Sequence, residues 1–215
     1  MIQYYARRAA EYDHVYALPH WQPGLARLRE LVPRVFAGRR VREVACGTGY
    51  WTVQVAAIAA RVSASDINEE TLDLARPRLA HLDNVELRHA DAYASPAGPE
   101  TFDAGLAALW LSHVDRSRMA EFLAAFHARL EPGAAVLIFD ERDHPTRTAR
   151  PGHTDAAGNR YEWRRLENGE TYEIIKNLFD ERELVALLAP WARAVEVEDL
   201  GRFWAATYLT RGGTA

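Results

Sequence analysis

The chain has 215 residues, 48% of them hydrophobic, and a formal net charge of -4; it can bury a sizeable core in one domain, 1–215, and its acidic balance argues against a nucleic-acid partner. The single cysteine, Cys46, excludes an internal disulfide framework and any CxxC metal site, so no metal is expected. With no apolar run near the ~20 residues that span a bilayer and no charged-then-apolar leader, the expectation is a cytoplasmic protein without a membrane partner, monomeric or homodimeric.

In chain order, residues 1–36 read as helical. Tyr5, Tyr12 and Tyr16 recur at near-helical spacing, and Arg27 to Val35 continues as a second helix with Leu25, Leu28 and Val32 on one side. Val41 to Thr52 then reads as strand, glycine turn, helix. Gly47 and Gly49 supply backbone freedom where a chain leaves a parallel strand sharply, and they leave room for a ligand against the backbone. A dinucleotide fingerprint would place a third small residue where Thr52 stands, so Thr52 speaks against a dehydrogenase.

Arg61 to Asp66 predicts the second strand, with Asp66 at its carboxyl end and Asn68 opening a helix that carries Glu69 and Glu70 in its first turn. A carboxylate in that place accepts hydrogen bonds from a ribose diol. Asn84 to Arg88 predicts the third strand, followed by Asp91 and Ala92, and Phe102 to Val114 a buried fourth strand ending near His113. The unperturbed pKa of histidine, near 6.5, suits proton acceptance there. Met119, Phe122, Leu123, Phe126 and Leu130 form a core stripe on the next helix, and Ala135 to Phe139 is the fifth strand.

Residues 140–178 read as an insertion. Asp140, Glu141 and His144 precede a loop with Arg147, Arg150 and His153, and Asn168-Gly169 lies between two alternating runs, a type I′ hairpin signal. With those two residues at the turn centre, Trp163 faces Ile174, Arg164 faces Glu173, and Tyr161 and Tyr172 share the Trp163 face. Asp180 with Glu183 predicts a capping box, and Val195 to Asp199 and Phe203 to Leu209 two last strands.

Glu43, Ala45, Gly47 and Gly49 resemble the first motif of class I S-adenosylmethionine-dependent methyltransferases. Ala45 stands where that family often has another glycine. Phe102-Asp103 is similar to the family's fourth-strand opening, Leu130-Glu131-Pro132-Gly133 to the stop before its fifth strand, and the closing hairpin to the end of its sheet, so the resemblance runs from Val41 to Leu209. It implies a doubly wound, seven-stranded, mostly parallel Rossmann-like α/β sheet with an antiparallel last strand, an N-terminal helical lid over 1–36, and a β-hairpin inserted after the fifth strand.

The resemblance also implies S-adenosyl-L-methionine as methyl donor, S-adenosyl-L-homocysteine as product, and an O, N or S atom of a small molecule as acceptor. Donor contacts are then expected from Tyr5, Glu43, Ala45, Cys46, Gly47, Gly49, Trp51, Asp66, Ile67, Asp91, Ala92 and Leu109. Acceptor contacts are expected from Tyr4, Trp110, His113, Arg147, Tyr161 and Trp163, with Arg147, Arg150 and His153 as a clamp for an anion. His113 is the first candidate base, followed by Asp140, Glu141 and His144. The chain lacks the Asn-Pro-Pro-Tyr signature of enzymes that modify exocyclic or glutamine amines, and Cys46 does not match the nucleophile of cytosine C5 enzymes. A protein or RNA methyltransferase and a non-catalytic donor-binding module are the alternatives.

Overall fold

The computed structural model describes residues 2–95, 98–145 and 150–211. Its main sheet has seven strands in the order β3-β2-β1-β4-β5-β10-β9: β1 (Arg40–Val44), β2 (Arg61–Asp66), β3 (Val85–His89), β4 (Phe102–Ala108), β5 (Leu130–Glu141), β9 (Ala192–Asp199) and β10 (Phe203–Thr210). β1 to β5 are mutually parallel, and β10 runs antiparallel to both β5 and β9. This is the doubly wound sheet with an antiparallel last strand that the resemblance implies.

Helices cover both faces because the central strands are apolar on both sides. On one face α2 (Gln22–Phe36) and α3 (Tyr50–Ala56) pack Leu25, Leu28, Phe36 and Val55 against Val41, Leu106, Leu137 and Phe139. On the other, α5 (Met119–His127) and α6 (Glu181–Leu188) bury Phe122, Phe126, Leu184 and Leu188 against Val44, Val136 and Ile138. α6 starts with the Asp180–Glu183 capping box. Asn68 precedes α4 (Glu69–Leu79) without capping it through its side chain. α2 is therefore a core helix, and the segment that lies over the site is α1 (Ile2–Arg8) with the 3-10 turn Ala9–Ala17.

Two local predictions are corrected. The fourth strand stops at Ala108, because Leu109 takes φ 55° and the chain turns into a 3-10 turn at Leu111–His113. The inserted hairpin is shifted by one residue. Leu166 and Glu170 bracket a three-residue loop, with Gly169 at φ 90°, in place of the expected two-residue turn. Trp163 thus pairs with Glu173 and Arg164 with Tyr172, which puts Tyr172 on the Arg164 face. The insertion forms a separate three-stranded sheet, β6 (Gly152–Thr154), β7 (Arg160–Arg165) and β8 (Thr171–Ile175). Among the described residues no helix is long and apolar enough to cross a membrane.

Candidate functional site

Strand order reverses between β1 and β4, and the crevice at the carboxyl ends of those strands is where open α/β sheets receive ligands. Ala45 (φ 53°), Gly47 (φ 56°) and Gly49 (φ 78°) carry the chain through left-handed backbone between β1 and α3. A methyl group added at Gly47 would meet no atom within 4 Å, so this glycine faces open space, while one at Gly49 would press on Leu79 at 3.1 Å. The first leaves room for a ligand, and the second serves packing.

A cleft above this loop is lined by Tyr5, Glu43, Ala45, Cys46, Gly47, Trp51, Asp66, Ile67, Asp91, Ala92, Leu109, Trp110 and His113, with Tyr12 and Tyr16. Asp66 Oδ2 accepts from the Gly47 N–H at 2.9 Å and Oδ1 from the Asn68 N–H at 2.8 Å, so the carboxylate is held between the glycine loop after β1 and its own strand end. Burial raises its pKa, and the bonds from Asn68 and Gly47 counter that rise. Asp91 Oδ1 accepts from the Tyr93 N–H at 2.9 Å. Cys46 is buried, and its thiol is held well above the usual range by burial, with Glu43 and Asp66 adding to the effect. That makes it inert packing.

Glu43 is 1% exposed and neither of its carboxylate oxygens has a hydrogen-bond partner among the described residues. Burial pushes its pKa up to about 8, with the Thr52 hydroxyl offsetting and Asp66 adding. A buried carboxyl group without a protein partner is suited to receive a cationic ligand group. The cleft therefore suits a nucleoside with a cationic arm: a diol acceptor at Asp66, open backbone at Gly47, and an orphaned acid at Glu43.

The N-terminal segment closes the cleft. Tyr16 stacks on Tyr50 with ring centres 3.6 Å apart, the Thr48 hydroxyl donates to Asp13 at 2.6 Å, and Arg78 pairs with Asp13. Tyr4, 3% exposed, packs with Leu166 and Ile174. It anchors the lid to the small sheet and lines neither cavity at the site.

His113 stands between the cleft and a second cavity of about 290 Å³ that also includes Tyr5, Tyr12 and Leu109. Its Nδ1 lies 2.6 Å from the Ile175 carbonyl and its Nε2 2.7 Å from the Tyr5 hydroxyl. A carbonyl only accepts, so Nδ1 carries the proton and Nε2 accepts from Tyr5. Burial first, then Lys176, Arg164 and Arg8, hold the imidazole pKa well below its usual value. It is a neutral, already hydrogen-bonded ring.

The second cavity is ringed by Arg8, Arg150, Arg164, Lys176 and Arg202, with Glu141 the acid among its lining residues. Arg164 Nη2 pairs at 2.8 Å with Glu162, which is fully buried, while Arg164 Nε is buried without a hydrogen-bond partner. Lys176 Nζ lies 2.9 Å from Ser112 Oγ, 3.1 Å from Asp140 and 3.2 Å from Glu141.

Several expected site residues stand elsewhere. Asp140 is fully buried and held by the Ser112 N–H and by Lys176, so it is not an accessible base. His144 is not among the lining residues of either cavity. Trp163 is 48% exposed on the outer face of the small sheet, and Tyr161, on that same face, stacks on His153. Strand alternation turns Glu162 and Arg164 inward in their place. Trp110 lines the first cleft only, and Arg147 lies outside the described residues. Arg8, Arg164 and Lys176 line the second cavity without being expected there from the sequence. Alternation puts Arg164 opposite Trp163, but tertiary packing decides which face looks inward, and Arg8 on α1 and Lys176 just past β8 carry no local signal.

The family described as Methyltransferase domain matches residues 41–133. The solved DhpI-SAH complex is similar over the whole chain, with 30% identity, a TM-score of 0.76, and coverage of 98% of this chain and 95% of that one. A DhpI-SAM-HEP complex is 31% identical, with a TM-score of 0.76, covering 95% and 94%. A demethylmenaquinone methyltransferase of Clavibacter sepedonicus is 35% identical over 119 residues, 54% of this chain and 47% of that protein. The chain spans about half the length of the curated relatives it matches.

Proposed function

The chain belongs to the class I S-adenosylmethionine-dependent methyltransferases, and from this we propose that it moves the donor's methyl group to an anionic oxygen of a small-molecule acceptor seated in the basic cavity. The observation that carries this is the shared wall: Tyr5, Tyr12, Leu109 and His113 belong to both the donor cleft and the cation-lined cavity. DhpI binds SAM and HEP together, and two adjoining cavities fit a donor and an acceptor side by side.

When bound, S-adenosylmethionine supplies a methyl group made electrophilic by its sulfonium. The chain's own work is alignment and exclusion of water. Asp66 and the Gly47 backbone orient the nucleoside end, Glu43 receives the cationic end, and Tyr5, Tyr12 and Tyr16 cover the cleft. Arg8 and Arg164, from the lid and the small sheet, hold the acceptor's negative charge. Fork-shaped guanidinium groups suit carboxylate, phosphate or phosphonate oxygens. An oxygen that arrives ionised attacks without a base and leaves as a methyl ester. His113 is then a support that fixes Tyr5, consistent with its neutral, hydrogen-bonded state.

Calorimetric titration with S-adenosylhomocysteine, beside NADH as control, tests the donor site. Asp66→Ala is expected to weaken binding by about 10–100-fold, the worth of charge-assisted hydrogen bonds at ~1.5–3 kcal/mol. NADH binding alone would overturn the reading. Methyl transfer is then assayed on phosphonates, phosphate monoesters, carboxylates and a hydroquinone. Turnover of the hydroquinone alone refutes the anionic acceptor, and donor binding without turnover of any acceptor supports a non-catalytic module. His113→Ala is expected to cut turnover while leaving S-adenosylhomocysteine affinity nearly intact. Equal loss of both would show that His113 acts through donor binding and not through placement of the acceptor.

A further inference from the structure

Glu43 stands one residue before the end of β1 beneath the donor cleft, in surroundings poorly suited to a negative charge. Its two oxygens have no hydrogen-bond partner among the described residues. The groups that shape its titration are the Thr52 hydroxyl on α3, which lies close enough to offset part of the rise without making a hydrogen bond of good geometry, and the Asp66 carboxylate on β2. The neighbouring Cys46 thiol is protonated. Across the cleft stand Tyr5, Tyr12, Tyr16 and His113, the tyrosines raised and the histidine lowered by burial, so all are neutral near pH 7. Asp91, on the exposed loop after β3, also lines the cleft.

None of these neighbours is a cation. An unpaired carboxylate buried beside a second carboxylate is costly, and the group escapes that cost by holding a proton. Both donor and product carry an ammonium on their amino-acid arm. Delivered into this cleft, that ammonium supplies the counter-charge the cleft lacks.

We propose that donor binding is proton-coupled: the ligand's ammonium enters as the Glu43 proton leaves to solvent, so that each binding event releases one proton and affinity rises with pH through neutrality. The proposal rests on the donor-site reading above. The balance is one O–H bond broken at Glu43, one proton to buffer, and an ion pair formed between carboxylate and ammonium. The sign follows from linkage. Below a free-state pKa of about 8 the acid is protonated without ligand and ionised with it, so binding releases a proton and strengthens as pH rises, and the dependence flattens above that value.

The test is calorimetric titration of the full chain with S-adenosylhomocysteine at pH 7 in two non-phosphate buffers of different ionisation enthalpy, repeated at pH 6 and 8. The ligand's own ammonium is protonated in both free and bound states at pH 7, so it cannot supply the proton. Release near one proton is expected, with affinity rising about tenfold from pH 6 to 7. Glu43→Gln, which keeps shape and removes the titration, abolishes the release, whereas Asp66→Asn retains it. Binding with no proton released in the wild type, or unchanged release in Glu43→Gln, overturns the proposal. Failure of S-adenosylhomocysteine to bind at all would instead overturn the donor-site reading. If Glu43→Gln does not fold, carbon-13 NMR of the wild-type glutamate carboxyl carbons decides. One resonance titrating near 8 and ionised by ligand supports the coupling, and its absence refutes it.

Discussion

Arg164→Met is expected to lower kcat/KM for an anionic acceptor by two to three orders of magnitude while S-adenosylhomocysteine affinity stays within about twofold. Arg164 sits on β7 at 11% side-chain exposure, with Nη2 tied to Glu162 and Nε buried and without a hydrogen-bond partner, so the guanidinium is already oriented when an anion arrives. Losing one member of a desolvated, hydrogen-bonded charge pair costs ~2–5 kcal/mol, and methionine keeps most of the packing. Glu162, fully buried, would retain Arg160 at 3.4 Å as a partial partner. Arg164→Met combined with Glu162→Gln therefore recovers folding without recovering turnover. Initial rates on matched charged and neutral acceptors check this. Equal losses on both would make Arg164 a structural residue.

Lys176→Met should lower the free energy of unfolding by ~3–5 kcal/mol, the usual cost of removing one partner of a buried ion pair. Lys176 is 3% exposed and Asp140 fully buried, and the ammonium has three oxygen acceptors within 3.2 Å. Without it Asp140 keeps its N–H donors but loses its counter-charge. Asp140→Asn in the same chain should then restore part of the loss, because the carboxamide needs no cation. Urea denaturation of the two single variants and the double variant forms the cycle. Additive losses would show that the pair is not coupled.

Both variants concern residues whose importance no local pattern announced. Asp140 reads as an acid at the carboxyl end of a strand, a position that suits a base. Its burial depends on Lys176, 36 residues on, and on the turn at Ser112. Trp163 reads as the prominent residue of an aromatic hairpin face. One extra loop residue before Gly169 re-pairs the strands, and the tertiary packing buries the opposite face, with Glu162 and Arg164.

What the sequence determined by itself is the framework and the position of the crevice. Apolar β-branched runs, helical stripes and the small residues at Ala45, Gly47 and Gly49 act through backbone sterics and burial over a few residues, so strand, left-handed loop and helix follow from the chain locally. Asp66 at its strand end follows in the same way. Only the tertiary structure decided which charges are buried, which face of the inserted sheet looks inward, and that Arg8, Arg164 and Lys176 meet beside His113. Those outcomes depend on contacts between residues more than a hundred positions apart and on a register that one loop residue changes, and the pairing energies involved arise only once the surrounding elements have excluded water.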